Sequence, residues 1–450
     1  MPKDGFSTPL TNPTPSNKAA AHLVGVCGAG MTALAEVLDG FGWRLSGTDL
    51  QPATRPIANL QLHGLDFHQG HSASYLPNDV DCLVYSPAIG PDNPERSEAL
   101  RRNLPQWSYG QMIGRLMAER TGICIAGTHG KSTTTAMIGW ILSVAGRDPA
   151  VLVGAELCDS GHSGRAGSSQ LMVVESCEFN HSFLDFRPQL AAILNVEPDH
   201  FDCYSDLDSL IDAFRKFARQ VPADGMILVN GDCPSAMATV RDNPARVVTF
   251  GLTSSSTWQA LEFVDHPWGI SFQIRRQGQH WGELNLRLHG QHNMINALAA
   301  VALCHELGVA GHDIIAALRS FGGVKRRFEV VGEWNQILLI DDYAHHPTAV
   351  RATLKTARQV YGPRRIWCLF QPHQVSRTQA LMDEFAVSFD DADEVLITPV
   401  NSSKPNKTST LNSPVSQYRL DMMYYFLRDV RLELRDSICP QSTPVNDLKQ

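Results

Sequence analysis

The sequence predicts an α/β protein of more than one domain, on three observations. Two apolar runs, residues 22–26 and 123–126, each enter a glycine-bearing turn and leave it at helical period, the order strand, loop, helix. A third block, from residue 337 onward, carries apolar strands that stop abruptly in titratable side chains. The length of 450 residues exceeds what one hydrophobic core sustains, so two or three domains are expected.

Apolar residues at 43% and charged residues at 19% are the proportions of an ordinary globular chain, which excludes a disordered or membrane-embedded protein. A formal net charge of -8 argues against a nucleic-acid or anionic-membrane surface while leaving room for a local anion site. No apolar run approaches membrane-spanning length, and residues 1–20, rich in Pro, Ser, Thr and Asn, lack the basic-then-apolar order of a secretory signal. A cytoplasmic chain with a flexible tail over residues 1–20 is expected, with neither nucleic acid nor membrane as a partner. Ten cysteines lie scattered without a Cys-x-x-Cys pair, so reduced thiols are expected, and Cys177, with no base adjacent in sequence, is a poor nucleophile.

In chain order, residues 22–31 run as a buried-type strand into the turn Gly28-Ala29-Gly30-Met31, helical period follows, and residues 44–49 form a second strand ending in Asp49. Gly-x-Gly-x-x-Ala is one form of the dinucleotide fingerprint, with Asp49 spaced to reach a ribose hydroxyl. The same parts suit any nucleotide diphosphate, so an NAD domain, another nucleotide domain and a bare sheet-packing turn all stay open. Residues 81–89 make a further strand, through Ser86, that ends where open α/β sheets bind ligands; His71 becomes a contact only if it lies in that crevice.

Residues 123–135 organise the rest. Gly127 and Gly130 let backbone N–H groups close around an anion, and the helix that follows adds the positive end of its dipole. Lys131 supplies a point charge for the outer phosphates and Ser132 a hydroxyl for magnesium. The longer phosphate-loop spacing requires glycine at position 125, which is Ile125, so only the compact Gly-x-x-Gly-Lys-Ser core is present. An ordinary strand-to-helix turn containing glycine and lysine is the alternative.

Two strands follow, residues 171–175 and 190–196, the first ending at Glu175 and the second leading to Glu197-Pro198-Asp199-His200. In a parallel sheet both ends open on the edge of the phosphate loop, where Glu175 and His200 can share a magnesium ion. Residues 208–219 read as an amphipathic helix and 226–230 as a strand, and the short alternating runs over 247–288 predict an appended antiparallel patch. Asn293 and Asn296 share a face near the start of the next helix, either capping it or presenting amides to a purine.

Phe321-Gly322-Gly323-Val324 reads as a hinge. Lys325-Arg326-Arg327 reads as three cations able to reach phosphate across an interdomain cleft, or as a solvated charge run. The strand beginning at residue 337 stops in Asp341-Asp342-Tyr343-Ala344-His345-His346-Pro347, a density of titratable groups that packing does not explain, and a helix follows Pro347. Residues 366–378 repeat the design and residues 393–399 add a strand.

With these blocks in order the sequence resembles the Mur ligases, from about residue 21 to residue 400. Gly25-Val26-Cys27-Gly28-Ala29-Gly30-Met31 is similar to the nucleotide turn of that family's first domain, and Gly127-Thr128-His129-Gly130-Lys131-Ser132-Thr133-Thr134 to its compact ATP loop. The resemblance implies three domains. A Rossmann-like N-terminal domain, residues 21–108, holds a UDP-sugar at Gly28, Ala29, Gly30, Met31, Asp49, His71 and Ser86. A central P-loop-type ATPase domain, residues 109–323, binds ATP through Gly127, Thr128, His129, Gly130, Lys131, Ser132, Thr133, His292 and Asn293, with Mg2+ on Ser132, Glu175 and His200. A Rossmann-like C-terminal domain, residues 324–400, closes over ATP with Arg327, beside Arg326, and Asp342. Two departures stand out: Gln374 occupies a position where the family often has Arg, and residues 401–450 lack the family's later strands and Gly-Ala-Gly motif, so that end reads as divergent or incomplete.

The implied activity is amide formation with UDP-N-acetylmuramate and L-alanine as substrates. ATP gives its γ-phosphoryl group to the muramoyl carboxylate, and the amine attacks the acyl phosphate. Lys131 then serves the phosphates, Arg377 the carboxylate or acyl-phosphate side, and His346 orients or deprotonates the amine. A cleft among three nucleotide-handling domains implies closure before chemistry, in a monomer or homodimer. Three other readings stay open: a ligase adding a peptide to the same sugar nucleotide, an NAD-dependent oxidoreductase built on the first turn, and a nucleotide-binding protein without turnover.

Overall fold

The computed structural model describes residues 19–400. Strand β1 (Ala20–Val24) is buried at every position because it lies at the centre of a sheet. With β2 (Arg44–Asp49), β3 (Asp66–Gln69), β4 (Cys82–Tyr85) and β5 (Gln106–Ser108) it forms a parallel sheet of order β3-β2-β1-β4-β5. The strand order reverses at β1, which makes the crevice past its C-terminal end the ligand-binding switch point of an open α/β sheet. Helices α1 (Ala29–Gly40), α2 (Arg55–Leu62) and α3 (Pro94–Arg101) connect the strands, and α4 (Tyr109–Met117) leads to the next domain. That last helix starts at a capping box: Ser108 Oγ accepts the Gln111 N–H and Gln111 Oε1 accepts the Ser108 N–H.

The central sheet has ten strands: β6 (Thr121–Ala126), β7 (Ala150–Leu152), β8 (Gly164–Arg165), β9 (Leu171–Ser176), β10 (Pro188–Ile193), β11 (Met226–Asn230), β12 (Arg246–Gly251), β13 (Trp258–His266), β14 (Gly269–Arg276) and β15 (Gln279–Leu286). Their order is β15-β14-β13-β12-β11-β10-β6-β9-β7-β8. β6 lies between β9 and β10 and is parallel to both, so three strand ends open on one edge. The helices are α5 (Lys131–Val144), α6 (Leu207–Ala218), α7 (Pro234–Thr239), α8 (Gln291–Glu306) and α9 (Gly311–Ser320).

Alternation along β6 divides the core between the two faces of this sheet. Cys124 and Ala126 join a cluster that contains Phe214 and Phe217 of α6 together with Leu34 and Val37 of the first domain. Ile123 and Ile125 join another, built from α5, α8 and α9 through Met137, Leu298 and Leu318. The first domain is therefore anchored through a core it shares with the underside of the central sheet.

Two expectations are corrected here. The antiparallel patch is smaller than residues 247–288: β12 is parallel to β11 and β13 to β12, and only β13-β14-β15 is an antiparallel meander. Val248 and Phe250 share the core of Met226 and Leu228, so burial carries the parallel sheet further than the alternating pattern indicates. Residues 321–324 do not form a hinge. Leu157 and Val324 make an antiparallel bridge, Gly323 O accepts the Cys158 N–H at 3.1 Å, Lys325 N–H donates to Glu156 O at 2.8 Å, and Phe321 is buried. Paired backbone bonds hold a segment that its glycine content alone leaves free.

In the third domain β16 (Glu329–Trp334) and β17 (Ile337–Asp341) form an antiparallel hairpin, while β18 (Trp367–Phe370) pairs in parallel with β19 (Glu394–Ile397). They are accompanied by α10 (Pro347–Tyr361), α11 (Val375–Ala380) and α12 (Met382–Ala386). Among the described residues this domain's buried cluster is Val350, Leu354, Phe370, Leu381 and Phe385. The divergent end expected over residues 401–450 lies outside the described residues. Among the described residues no helix is long and apolar enough to cross a membrane.

Candidate functional site

β6 delivers the chain to Gly127 at φ 145°, and Gly130 at φ 82° turns it into α5. A Cβ on Gly130 would stand 2.3 Å from Asn296 Oδ1, so conformation and the neighbouring helix both require glycine there. Asn195, just beyond β10, braces the loop: its Oδ1 accepts the His129 N–H at 2.7 Å, its Nδ2 donates to His129 O at 3.1 Å, and its carbonyl accepts the Thr128 N–H at 3.1 Å. The first-turn amides of α5 have no carbonyl one turn behind them, and together with the helix dipole they favour an anion. Thr128, Ser132 and Thr133 are all nearly buried in this turn.

Lys131 folds back over the loop. Its Nζ donates to Gly127 O at 2.5 Å and Thr128 O at 3.3 Å and lies 3.0 Å from Glu178 Oε2. Burial alone would lower its pKa, but Glu178, with Cys177 and Glu175 behind it, holds the ammonium charged. Ser132 Oγ donates to Glu175 Oε1 at 3.0 Å, and Glu175 Oε2 accepts the Gly154 N–H at 2.6 Å. His200 Nε2 lies 3.7 Å from Glu178 Oε1, and both that oxygen and His200 Nδ1 are buried without a hydrogen-bond partner among the described residues. Hard oxygen donors with one carboxylate oxygen left over suit a magnesium ion completed by phosphate and water. Glu178 is the residue that sequence reasoning missed. It follows Glu175 by three positions just past the strand, a detectable spacing, but its complete burial against Lys131 exists only in the fold. Burial and Glu178 push the neighbouring Cys177 thiol up to about 12, which removes it as a nucleophile.

In the first domain the tight turn after β1 belongs to Gly25, at φ 81°, rather than to Gly28 or Gly30. A Cβ on Gly30 would meet the Tyr109 ring at 3.0 Å, so that glycine lets α1 approach α4. Asp49, expected at a ribose hydroxyl, is already engaged in shaping the turn: Oδ2 accepts the Cys27 N–H at 2.8 Å and Oδ1 the Gln51 N–H at 2.9 Å. His71 does lie at the end of the sheet, its Nδ1 3.1 Å from Thr48 Oγ1 and 3.3 Å from Glu95 Oε2. Glu95, fully buried, also accepts the Thr48 hydroxyl and the Ser72 N–H, a second carboxylate not anticipated. Ser86 follows β4 directly, its N–H donating to Val24 O at 2.9 Å, and its Cβ lies 2.9 Å from where a Cβ on Gly25 would stand.

The third domain faces the same edge with residues that are largely committed to one another. Arg377, expected at the substrate carboxylate, is buried: its Nε donates to Asp199 Oδ1 at 2.6 Å and one terminal nitrogen to His373 O at 3.0 Å. Burial alone would raise the Asp199 carboxyl, but His200 and Arg377 outweigh it and hold the group well below the usual carboxylate range. His346, expected to orient or deprotonate the amine, has both nitrogens engaged, Nε2 with Pro198 O at 3.1 Å and Nδ1 with the Thr348 N–H at 3.3 Å. Asp342 accepts the Phe328 N–H at 2.9 Å and the Ala344 N–H at 2.7 Å, and burial raises its pKa. Of the three cations, Lys325 pairs with Glu156 at 2.6 Å and Arg326 stacks 4.6 Å over Tyr343, which leaves Arg327, 5.6 Å from the same ring, as the one charge near both His292 and Asp342. Asn293 donates to His289 O at 2.9 Å and Asn296 to Asn293 Oδ1 at 3.3 Å, so the amide pair builds the turn instead of capping it. Gln374, at φ 71°, leaves its Oε1 buried without a hydrogen-bond partner among the described residues.

Comparison with known proteins identifies the arrangement. The family descriptions "Mur ligase family, catalytic domain", "Mur ligase middle domain" and "Mur ligase, glutamate ligase domain" match residues 20–121, 125–304 and 326–423. Relatives named UDP-N-acetylmuramate--L-alanine ligase are 36% identical in Acetivibrio thermocellus, over 89% of this chain and 86% of the relative, and 37% identical in Desulfitobacterium hafniense, over 93% and 94%. A solved UDP-N-acetylmuramate-alanine ligase of Thermotoga maritima superposes with a TM-score of 0.73 at 29% identity, covering 85% of each chain. A murein peptide ligase of Psychrobacter arcticus superposes with 0.69 at 28% identity, covering 84% of each.

Proposed function

The chain belongs to the Mur ligase family, and from that premise we propose that it is an ATP-dependent ligase joining L-alanine to the carboxylate of UDP-N-acetylmuramate, in peptidoglycan precursor synthesis. The observation that carries this reading is the braced loop at the end of β6, where Lys131, Ser132, Glu175, Glu178 and His200 converge beside the third domain.

A carboxylate is a poor electrophile, so the reaction needs activation. One carboxylate oxygen attacks the γ-phosphorus, the bond to the β,γ-bridging oxygen breaks, and ADP leaves. The alanine nitrogen, once deprotonated, then attacks the acyl carbon and inorganic phosphate leaves. Positioning and charge neutralisation carry most of such a transfer. Lys131 is assigned to the β- and γ-phosphates, exchanging its loop carbonyls and Glu178 for them, and the Gly127–Thr133 backbone to the phosphate chain. Ser132, Glu175, Glu178 and His200 would hold magnesium, which supplies charge neutralisation when bound. His292, Asn293, Arg327 and Asp342 are assigned to the nucleoside side, and the turn of Gly28 to Met31 with His71 and Ser86 to the UDP-sugar. Arg377 and His346, each committed to the central domain, are assigned to docking the third domain.

The peptide-adding alternative is supported by the likeness to the murein peptide ligase; the 36–37% identical relatives favour alanine. Phosphate release from ATP should require both UDP-N-acetylmuramate and L-alanine and vanish in Lys131→Ala. Turnover that depends on a tripeptide in place of alanine would transfer the assignment to the second reading, and turnover indifferent to any amine would sink both.

A further inference from the structure

Three side chains with metal-ligand chemistry meet beside the phosphate loop without belonging to the magnesium constellation. His129, Glu197 and His346 each bring a donor atom within 4.8 Å of the others. His129 is in the loop, Glu197 follows β10, and His346 caps α10 of the third domain. His129 Nε2 lies 3.4 Å from Glu197 Oε2, and His346 Nδ1 lies 3.9 Å from the same oxygen. The two imidazole rings are tilted with centroids 4.7 Å apart.

We propose that His129, Glu197 and His346 form a binding site for a zinc-class divalent transition metal that bridges the phosphate loop and the third domain. Bonds of about 2.0–2.1 Å in a tetrahedral zinc site place neighbouring donors about 3.3 Å apart, the separation seen between His129 and Glu197 and one that His346 approaches. His129 Nε2 is buried and has no hydrogen-bond partner among the described residues, although a carboxylate stands beside it; the contact lacks the direction of a hydrogen bond. The other ligands carry the outer contacts that such sites use. Pro198 O accepts from His346 Nε2 at 3.1 Å, which fixes the tautomer and leaves Nδ1 as the acceptor; that nitrogen now takes the Thr348 N–H at 3.3 Å as the cap of α10 and lies 3.9 Å from Glu197 Oε2, so a metal would draw its lone pair away from the cap. The Thr348 hydroxyl donates to Glu197 Oε2 at 2.7 Å. Two imidazoles and one carboxylate select zinc, cobalt or copper over magnesium, so the site is distinct in chemistry from the oxygen-rich constellation around Ser132. A metal held there would tie the loop that grips phosphate to the N-terminus of α10.

The test uses the full chain, without nucleotide and with excess magnesium, titrated with Co2+ and back-titrated with Zn2+. One equivalent of cobalt with a four-coordinate visible spectrum, no thiolate charge-transfer band and displacement by zinc is expected. Glu197→Gln and His346→Gln should each abolish that spectrum, while His200→Asn should keep it. X-ray absorption at the zinc edge of the wild-type chain should show nitrogen and oxygen neighbours only, a readout that stands even if a variant folds poorly. No stoichiometric binding by the wild type, a sulfur neighbour from Cys177, or an unchanged spectrum in Glu197→Gln or His346→Gln would overturn the proposal. None of these readouts requires ligase activity.

Discussion

Arg377 Nε donates to Asp199 Oδ1 at 2.6 Å with both side chains almost wholly withdrawn from solvent, and this pair fastens the third domain to the loop beyond β10. Two charges out of water persist only while each has the other. Removing one should cost about 3–5 kcal/mol because the survivor stays buried and unpaired. Arg377→Met is expected to lose roughly that much in urea unfolding, and Arg377→Met/Asp199→Asn to recover part of it. The pH dependence has a definite sign. The Asp199 carboxyl is depressed in the folded chain, so its contribution is complete above the unfolded pKa of about 3.9 and is lost as pH falls below it toward the folded value. The gap in stability between wild type and Asp199→Asn should close over that acid range; a gap independent of pH there would contradict the assignment.

Gly130 offers a second test, because two separate demands fall on one position. Its φ of 82° disfavours any side chain, and a Cβ would press on Asn296 Oδ1 at 2.3 Å. Gly130→Ala should destabilise the chain by about 1–3 kcal/mol. It should also weaken Mg-ATP binding by roughly tenfold or more, about 1.4 kcal/mol, as the loop shifts. Adding Asn296→Ala relieves the contact but not the backbone, so calorimetry should report partial recovery of stability. Full recovery would mean that the backbone conformation carries no cost.

Between the first and central domains, Glu36 of α1 accepts the Ser163 N–H at 2.9 Å and the Gly164 N–H at 2.6 Å and meets His162 Nδ1 at 2.9 Å. Glu36→Ala leaves two backbone N–H groups without their acceptor, at a cost of about 1–3 kcal/mol. Differential scanning calorimetry should show that loss, with Mg-ATP affinity unchanged. An equal fall in ATP affinity would show that the contact supports the phosphate loop and not the domain junction.

Local pattern made most of the strands and both glycine turns legible. Residues 44–49 and 226–230 read as strands with the bounds they have: the second is an apolar run closed by Asn230-Gly231-Asp232, and the first is a short segment set off by the preceding Gly42 and ending in Asp49. Glu175 and Ser132 were legible as neighbours for the same reason: a parallel sheet puts the ends of β6 and β9 on one edge, and the two side chains meet at 3.0 Å. What pattern could not supply is which polar groups are already spent. Asp49, Arg377 and His346 look free in sequence, yet each is satisfied by a partner 22, 178 and 148 residues away. Gly322-Gly323 looks like a hinge until the bridge from Leu157 to Val324 closes beside it.

The sequence by itself determined the order strand, loop, helix around Gly127 to Ser132 and the residue types that can grip phosphate, since these depend on neighbours in the chain and on what glycine, lysine and serine can do. Only the tertiary structure decided that Glu178 holds Lys131, that Arg377 closes on Asp199, and that His129 and His346 stand 4.7 Å apart across two domains. The physical reason is that charge pairing and burial are set by distances in space, which packing of the sheets imposes and no local periodicity encodes.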